Sequence, residues 1–105
     1  MQIHRVIVRG RFGPLDDEQR TALRDALDRD ELTSHRFTPT GTLAYDRRLD
    51  FFSVRVEVRI DDGDDAAATA FAEAEARAVA ELTRRGLPWR EGFRTTGSNM
   101  ADVWR

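Results

Sequence analysis

The stretch "YDRRLDFFSVRVEVRI", Tyr45 to Ile60, decides the fold. Phe52, Val54, Val56, Val58 and Ile60 fall on even positions, and Phe51, Ser53, Arg55, Glu57 and Arg59 on odd ones. Alternation with period two marks a strand that turns one face to a core. The odd face sets charges around an aromatic ring. "TLAYD" in front of it is a short strand and "RRL" a turn, so the two strands form a hairpin. Asp46 and Asp50 flank Arg47 and Arg48 at that corner, where aspartates fix a turn through side-chain-to-backbone hydrogen bonds and neutralise the arginines.

Outward toward the N-terminus, "IHRVIVRG" alternates in the same way and ends at Gly10. Asp16 and Gln19 stand at capping-box spacing and open a helix carrying Leu23, Ala26 and Leu27, with Asp30–Glu31–Leu32 as a possible continuation. "TSHRFTPTG" is a loop punctuated by Pro39 and Gly41. Outward toward the C-terminus, "DDGDD" ends the long strand and offers Asp64 or Asp65 as the cap of a second helix. That helix runs through "AAATAFAEAEARAVAELTRR" to Gly86, with Pro88 beyond, and Phe71, Ala74, Ala78 and Leu82 form its core face. "WREGFRTTG" is the expected last strand and "SNMADVWR", residues 98–105, a tail packed on the body or on a partner subunit.

The order strand, helix, strand, strand, helix, strand predicts an α+β, ferredoxin-like βαββαβ fold. Its four-stranded antiparallel sheet carries both helices on one face, within a single domain spanning residues 1–105. Strands one and three are then adjacent. Their helix side holds Val6 and Val8 with His4 near the end, and the even residues from Phe52 to Ile60. Ile3, Arg5, Ile7, Arg9, Phe51, Ser53, Arg55, Glu57 and Arg59 fall on the uncovered side.

Composition narrows the functions. All 17 cations are arginine, against 19 acids, for a net charge of −2. The signs are mixed along the chain, so no overall basic field recruits nucleic acid. No lysine is available for Schiff-base chemistry, and zero cysteines exclude disulfides, thiolate nucleophiles and cysteine-based metal sites. "MQIHRVIVRG" is neither a signal peptide nor a membrane span, which gives a cytoplasmic expectation. His4 and His35 have no partners at metal-ligand spacing, and "DDGDD" lacks the loop shape and closing glutamate of a calcium site. No metal and no cofactor is expected.

"HRVIVRGRFG" resembles the first strand of acylphosphatases, over about ten residues. The loop that follows, "GPLDDEQR", has acids where that family has a glycine-rich turn, and acids there would repel phosphate. A broader likeness covers nearly the whole chain. "RVIVRGRF", "GTLAYDRRLDFF" and "NMADVW" together resemble a family of small actinobacterial proteins designated a domain of unknown function. The resemblance implies a bacterial cytoplasmic protein and places Met100, Val103 and Trp104 within the domain. It brings no activity.

The open face therefore carries the functional expectation. It is a solvated surface, a self-association surface, or the floor of a site for an anionic or aromatic ligand read by arginine. The reading adopted is a homodimer through that face. It is a non-catalytic binding module for a small anionic or aromatic metabolite, held by Arg5, Arg9, Phe51, Arg55, Glu57 and Arg59. The alternative is a dimeric α+β barrel enzyme, a cyclase, isomerase or cofactor-free oxygenase acting on a polyketide-like aromatic. His4, Tyr45 or Glu57 would then move protons. The enzyme requires a cavity of at least about 300 Å³ on the open face with one of those three residues in it.

Overall fold

Valines pull strands one and three into the centre of the molecule. The computed structural model describes residues 1–29 and 36–100. Within it, β1 (Gln2–Arg11) and β3 (Phe51–Ile60) pair antiparallel from Gln2 opposite Ile60 to Arg11 opposite Phe51. β2 (Thr42–Tyr45) flanks β3 and β4 (Arg94–Asn99) flanks β1, giving the order β2-β3-β1-β4. Helices α1 (Asp17–Arg29) and α2 (Ala66–Arg84) complete the expected α+β arrangement.

Inward and outward residues alternate as the sequence predicts. Val6, Val8, Val54, Val56 and Val58 are fully buried with Leu82 of α2. At about 1.5–3 kcal/mol for each large apolar side chain removed from water, this layer fixes which way the strands face. Leu23 of α1 joins the same core, and the Tyr45 hydroxyl donates to the Leu23 carbonyl at 2.7 Å. Both helices therefore lie on one side. α2 comes close because its buried stripe is Ala66, Ala70, Ala74 and Ala78. Where α2 passes β4, Gly97 makes room: a Cβ there would lie 2.8 Å from the Phe71 ring.

The helix ends show which local signals matter. Asp16 Oδ1 accepts from the Gln19 amide at 2.7 Å and the Gln19 side chain accepts from the Asp16 amide at 2.9 Å, a complete capping box. α2 closes with Gly86 at φ +68°. The Gly86 amide bonds to the Thr83 carbonyl and the Leu87 amide to the Leu82 carbonyl, the paired bonds of a Schellman motif. The expected aspartate cap of α2 is corrected: Asp65 occupies the N-cap but its side chain makes no capping hydrogen bond. The Ala66 amide bonds to the Gly63 carbonyl at 3.3 Å. The last strand also starts later than expected. Trp89 makes only an isolated bridge to Phe12, and β4 takes in Ser98 and Asn99, opposite Arg5 and His4. The possible continuation of α1 through residues 30–32, the loop residue His35, and Val103 and Trp104 of the tail lie outside the described residues.

The hairpin corner divides its two arginines. Asp46 Oδ1 accepts from the Arg48 amide at 3.0 Å, as the turn chemistry predicts. Arg47 pairs with Asp28 of α1 rather than with the flanking aspartates. Leu49 turns through φ +60° and is buried. That left-handed conformation is unfavourable for a leucine, and the burial of its side chain offsets the cost. Among the described residues no helix is long and apolar enough to cross a membrane.

Candidate functional site

Alternation along three strands sorts the charges onto the open face. Direct cross-strand partners project to the same side. Arg5 faces Glu57 and Ser98, Ile7 faces Arg55 and Thr96, and Arg9 faces Ser53 and Arg94. Ile3 faces Arg59, and Arg11 faces Phe51. This side of β1, β3 and β4 therefore holds Arg5, Arg9, Arg11, Arg55, Arg59 and Arg94 against a single acid, Glu57. All six expected site residues share it. Arg11 and Arg94 are additions: the first lies past Gly10, and the second falls in the expected last strand but takes its side of the sheet from its pairing with Arg9.

Little on this surface is neutralised internally. Arg5 Nε lies 3.8 Å from Glu57 Oε1, a loose pair between partly exposed groups. Arg9 donates to the Thr96 hydroxyl at 3.0 Å. Arg55 Nε is buried with no hydrogen-bond partner among the described residues, and a buried donor left unmet is costly.

The expectation that nothing in the chain covers this face is corrected by Phe37. The connection after α1 returns along the outer edge of β3. There the Glu57 amide donates to the Thr38 carbonyl at 2.9 Å, and Thr38 bridges Val56 in parallel. That route lays the Phe37 ring on the open face, 5.5 Å from the Arg5 guanidinium carbon and 5.7 Å from that of Arg55. Phe51 lies farther along the same side, 60% exposed, with the Arg11 guanidinium carbon 5.1 Å from its ring centre. Both rings thus sit at cation–π distance from arginines. Between Phe37 and β4 is a shallow recess of about 280 Å³, lined by Arg5, Ile7, Phe37, Thr96, Ser98 and Met100 among others.

None of the three proton-handling candidates lines that recess. His4 is 3% exposed on the helix side, its Nε2 2.8 Å from Gln2 Oε1, and Asn99 donates to the same oxygen at 3.0 Å. Tyr45 also points to the helix side, and burial raises its hydroxyl pKa above the usual value despite the nearby Arg85 charge. Glu57 alone is on the open face. Among the described residues no group of three or more His, Cys, Asp or Glu is placed to hold a metal ion.

A larger groove of about 730 Å³ separates α2 from the segment Thr38–Leu43, and its polar groups already serve one another. Glu81 Oε1 accepts from Arg84 Nη2 at 2.6 Å and from Arg85 Nε at 2.7 Å. Arg77 donates to the Pro39 and Glu57 carbonyls and to Glu73, tying α2 to the edge of the sheet. This groove is a fastening between layers.

Comparison with known proteins yields a family and no activity. No curated protein and no solved structure matches the chain. A family model described as "Family of unknown function (DUF6204)" matches residues 1–104. Together with the strand register and the capped helices, that near-complete match places the chain plainly: it belongs to this family of unknown function.

Proposed function

We propose that this protein is a non-catalytic binding module whose open sheet face takes a small anionic aromatic metabolite, with a second copy of the chain covering the face. The observation that carries the reading is the set of six arginines facing one glutamate, with Phe37 held beside Arg5 and Arg55. A guanidinium binds a carboxylate through two parallel hydrogen bonds and also stacks on a ring. The recess next to Phe37 offers apolar contact from Ile7 and Met100 and hydroxyls from Thr96 and Ser98. Binding of this kind needs no titrating group in the recess, in keeping with the positions of His4 and Tyr45 behind the sheet.

Isothermal titration with 4-hydroxybenzoate, and with its uncharged alcohol analogue, tests the reading. The acid should bind and raise the melting temperature by mass action, and the alcohol should do neither. Arg55→Ala should weaken capture about tenfold, the scale of one charge-assisted hydrogen bond lost, while Arg47→Ala leaves it unchanged. Equal response to both compounds sinks the proposal, as does the reverse order of the two variants. Tighter binding of a single-stranded oligonucleotide than of the acid would replace the small molecule with a polymer.

A further inference from the structure

At one end of the sheet, chain segments far apart in sequence surround a third cavity. The end of β1, the connection before α1, the first turn of α1, the β2–β3 turn and the segment after α2 surround a cleft of about 230 Å³. Backbone hydrogen bonds lock its walls. The Phe12 amide donates to the Asp50 carbonyl at 3.0 Å, Gly13 to Pro88 at 2.9 Å, and Arg90 to Arg11 at 2.9 Å. Gly13 and Pro88 are close enough that a Cβ on Gly13 would lie 3.0 Å from the proline ring.

The lining is chemically one-sided. Arg11, Arg20, Arg48 and Arg90 all contribute, and Asp50 is the single acid. The acids of the "DDEQR" stretch do not line it: Asp16 is engaged in the capping box, and Asp17 and Glu18 are exposed elsewhere on the first turn. Arg11 holds its guanidinium over Phe51 at the boundary with the open face. The side chains of Arg20, Arg48 and Arg90 form no ion pair and no hydrogen bond with any described residue. That contrasts with the helix-side arginines, since Arg24, Arg47, Arg77, Arg84 and Arg85 are each engaged. Four arginines and one aspartate thus line the cleft, three more cationic residues than anionic ones, on walls that backbone bonds hold in place.

We propose that this cleft binds a doubly charged oxyanion, the head group shared by inorganic phosphate and phosphate monoesters. Arginine forks match the tetrahedral oxygens of such a group, and an excess of three cationic residues favours a dianion over a carboxylate. The volume is below that of pockets for drug-sized ligands, so the occupant is the anion itself or its ester of a small alcohol. The cleft meets the open face at Arg11, and its other arginines, Arg20, Arg48 and Arg90, are not among the open-face set.

Amide NMR titrations with inorganic phosphate and with methyl phosphate test this, with sodium chloride keeping the ionic strength constant. Saturable shifts should centre on Phe12, Gly13, Leu49, Asp50 and Arg90, and whichever compound binds tighter tells the free anion from the ester. The double variant Arg48→Ala/Arg90→Ala should weaken binding by about tenfold or more, and Asp50→Asn should strengthen it. If the alanine pair fails to fold, Arg48→Lys keeps the charge without the fork and should give an intermediate loss. Arg9→Ala and Arg55→Ala should leave phosphate binding unchanged. Shifts that grow without saturating, or that chloride alone reproduces, overturn the assignment, as does loss of phosphate binding in the open-face variants.

Discussion

Glu81 illustrates how a carboxylate stays ionised inside a protein wall. It is 8% exposed, and that burial by itself would raise its pKa. Hydrogen bonds and charges from Arg84 and Arg85 outweigh the burial and leave the carboxyl below its ordinary value. A lowered folded-state pKa adds stability that is complete above the unfolded value, about 4.3 for glutamate, and is lost as the pH falls through the folded value. Arg84 and Arg85 are themselves well exposed, so solvent screening limits the contribution to about 1 kcal/mol. Glu81→Gln should therefore lower the unfolding free energy by about 1 kcal/mol at pH 7. Urea titrations at pH 7 and pH 3 should show the gap closing in acid. A gap that persists at pH 3 would assign the loss to packing and not to charge.

At the scale of elements, the alanine stripe of α2 sets the thickness of the whole molecule. Ala74 and Ala78 are fully buried in the core, and a longer side chain in a close-packed layer pushes its neighbours apart. Ala74→Leu should cost about 1–3 kcal/mol and lower the melting temperature by roughly 4–8 °C per kcal/mol, read by thermal unfolding. An unchanged melting temperature would mean that α2 can slide outward at no cost. These elements were legible because their signals are local. Val54, Val56 and Val58 alternate within a few residues, and Asp16 and Gln19 face each other across one turn. Phe37 was not legible, since its place over Arg5 and Arg55 depends on the route of the chain around the edge of β3. The cleft was hidden for the same reason: Arg11, Arg20, Arg48 and Arg90 come together only through long-range backbone bonds. Asp65 takes the N-cap position as expected, but its backbone at φ −106° and ψ 19° lies outside the extended region typical of a capping residue, and its side chain makes no cap bond.

For the whole molecule, the two proposed occupants of the open face are coupled. Two copies meeting sheet to sheet would bring together surfaces that each carry Arg5, Arg9, Arg11, Arg55, Arg59 and Arg94 against Glu57. Like charges oppose that contact until anions lie between them. Light scattering coupled to size exclusion should thus find a dimer fraction that rises when an aromatic acid is added at constant ionic strength. A monomer that persists whether or not the acid is present would refute the sheet-to-sheet pairing. The same sorting of charge acts at long range. Among the described strand residues, six arginines and one acid lie on this face. A chain whose net charge is only −2 therefore carries a concentrated positive patch on its strands. In any field from a negatively charged surface it turns its strands forward and its helices away before contact, so its first collisions are already oriented.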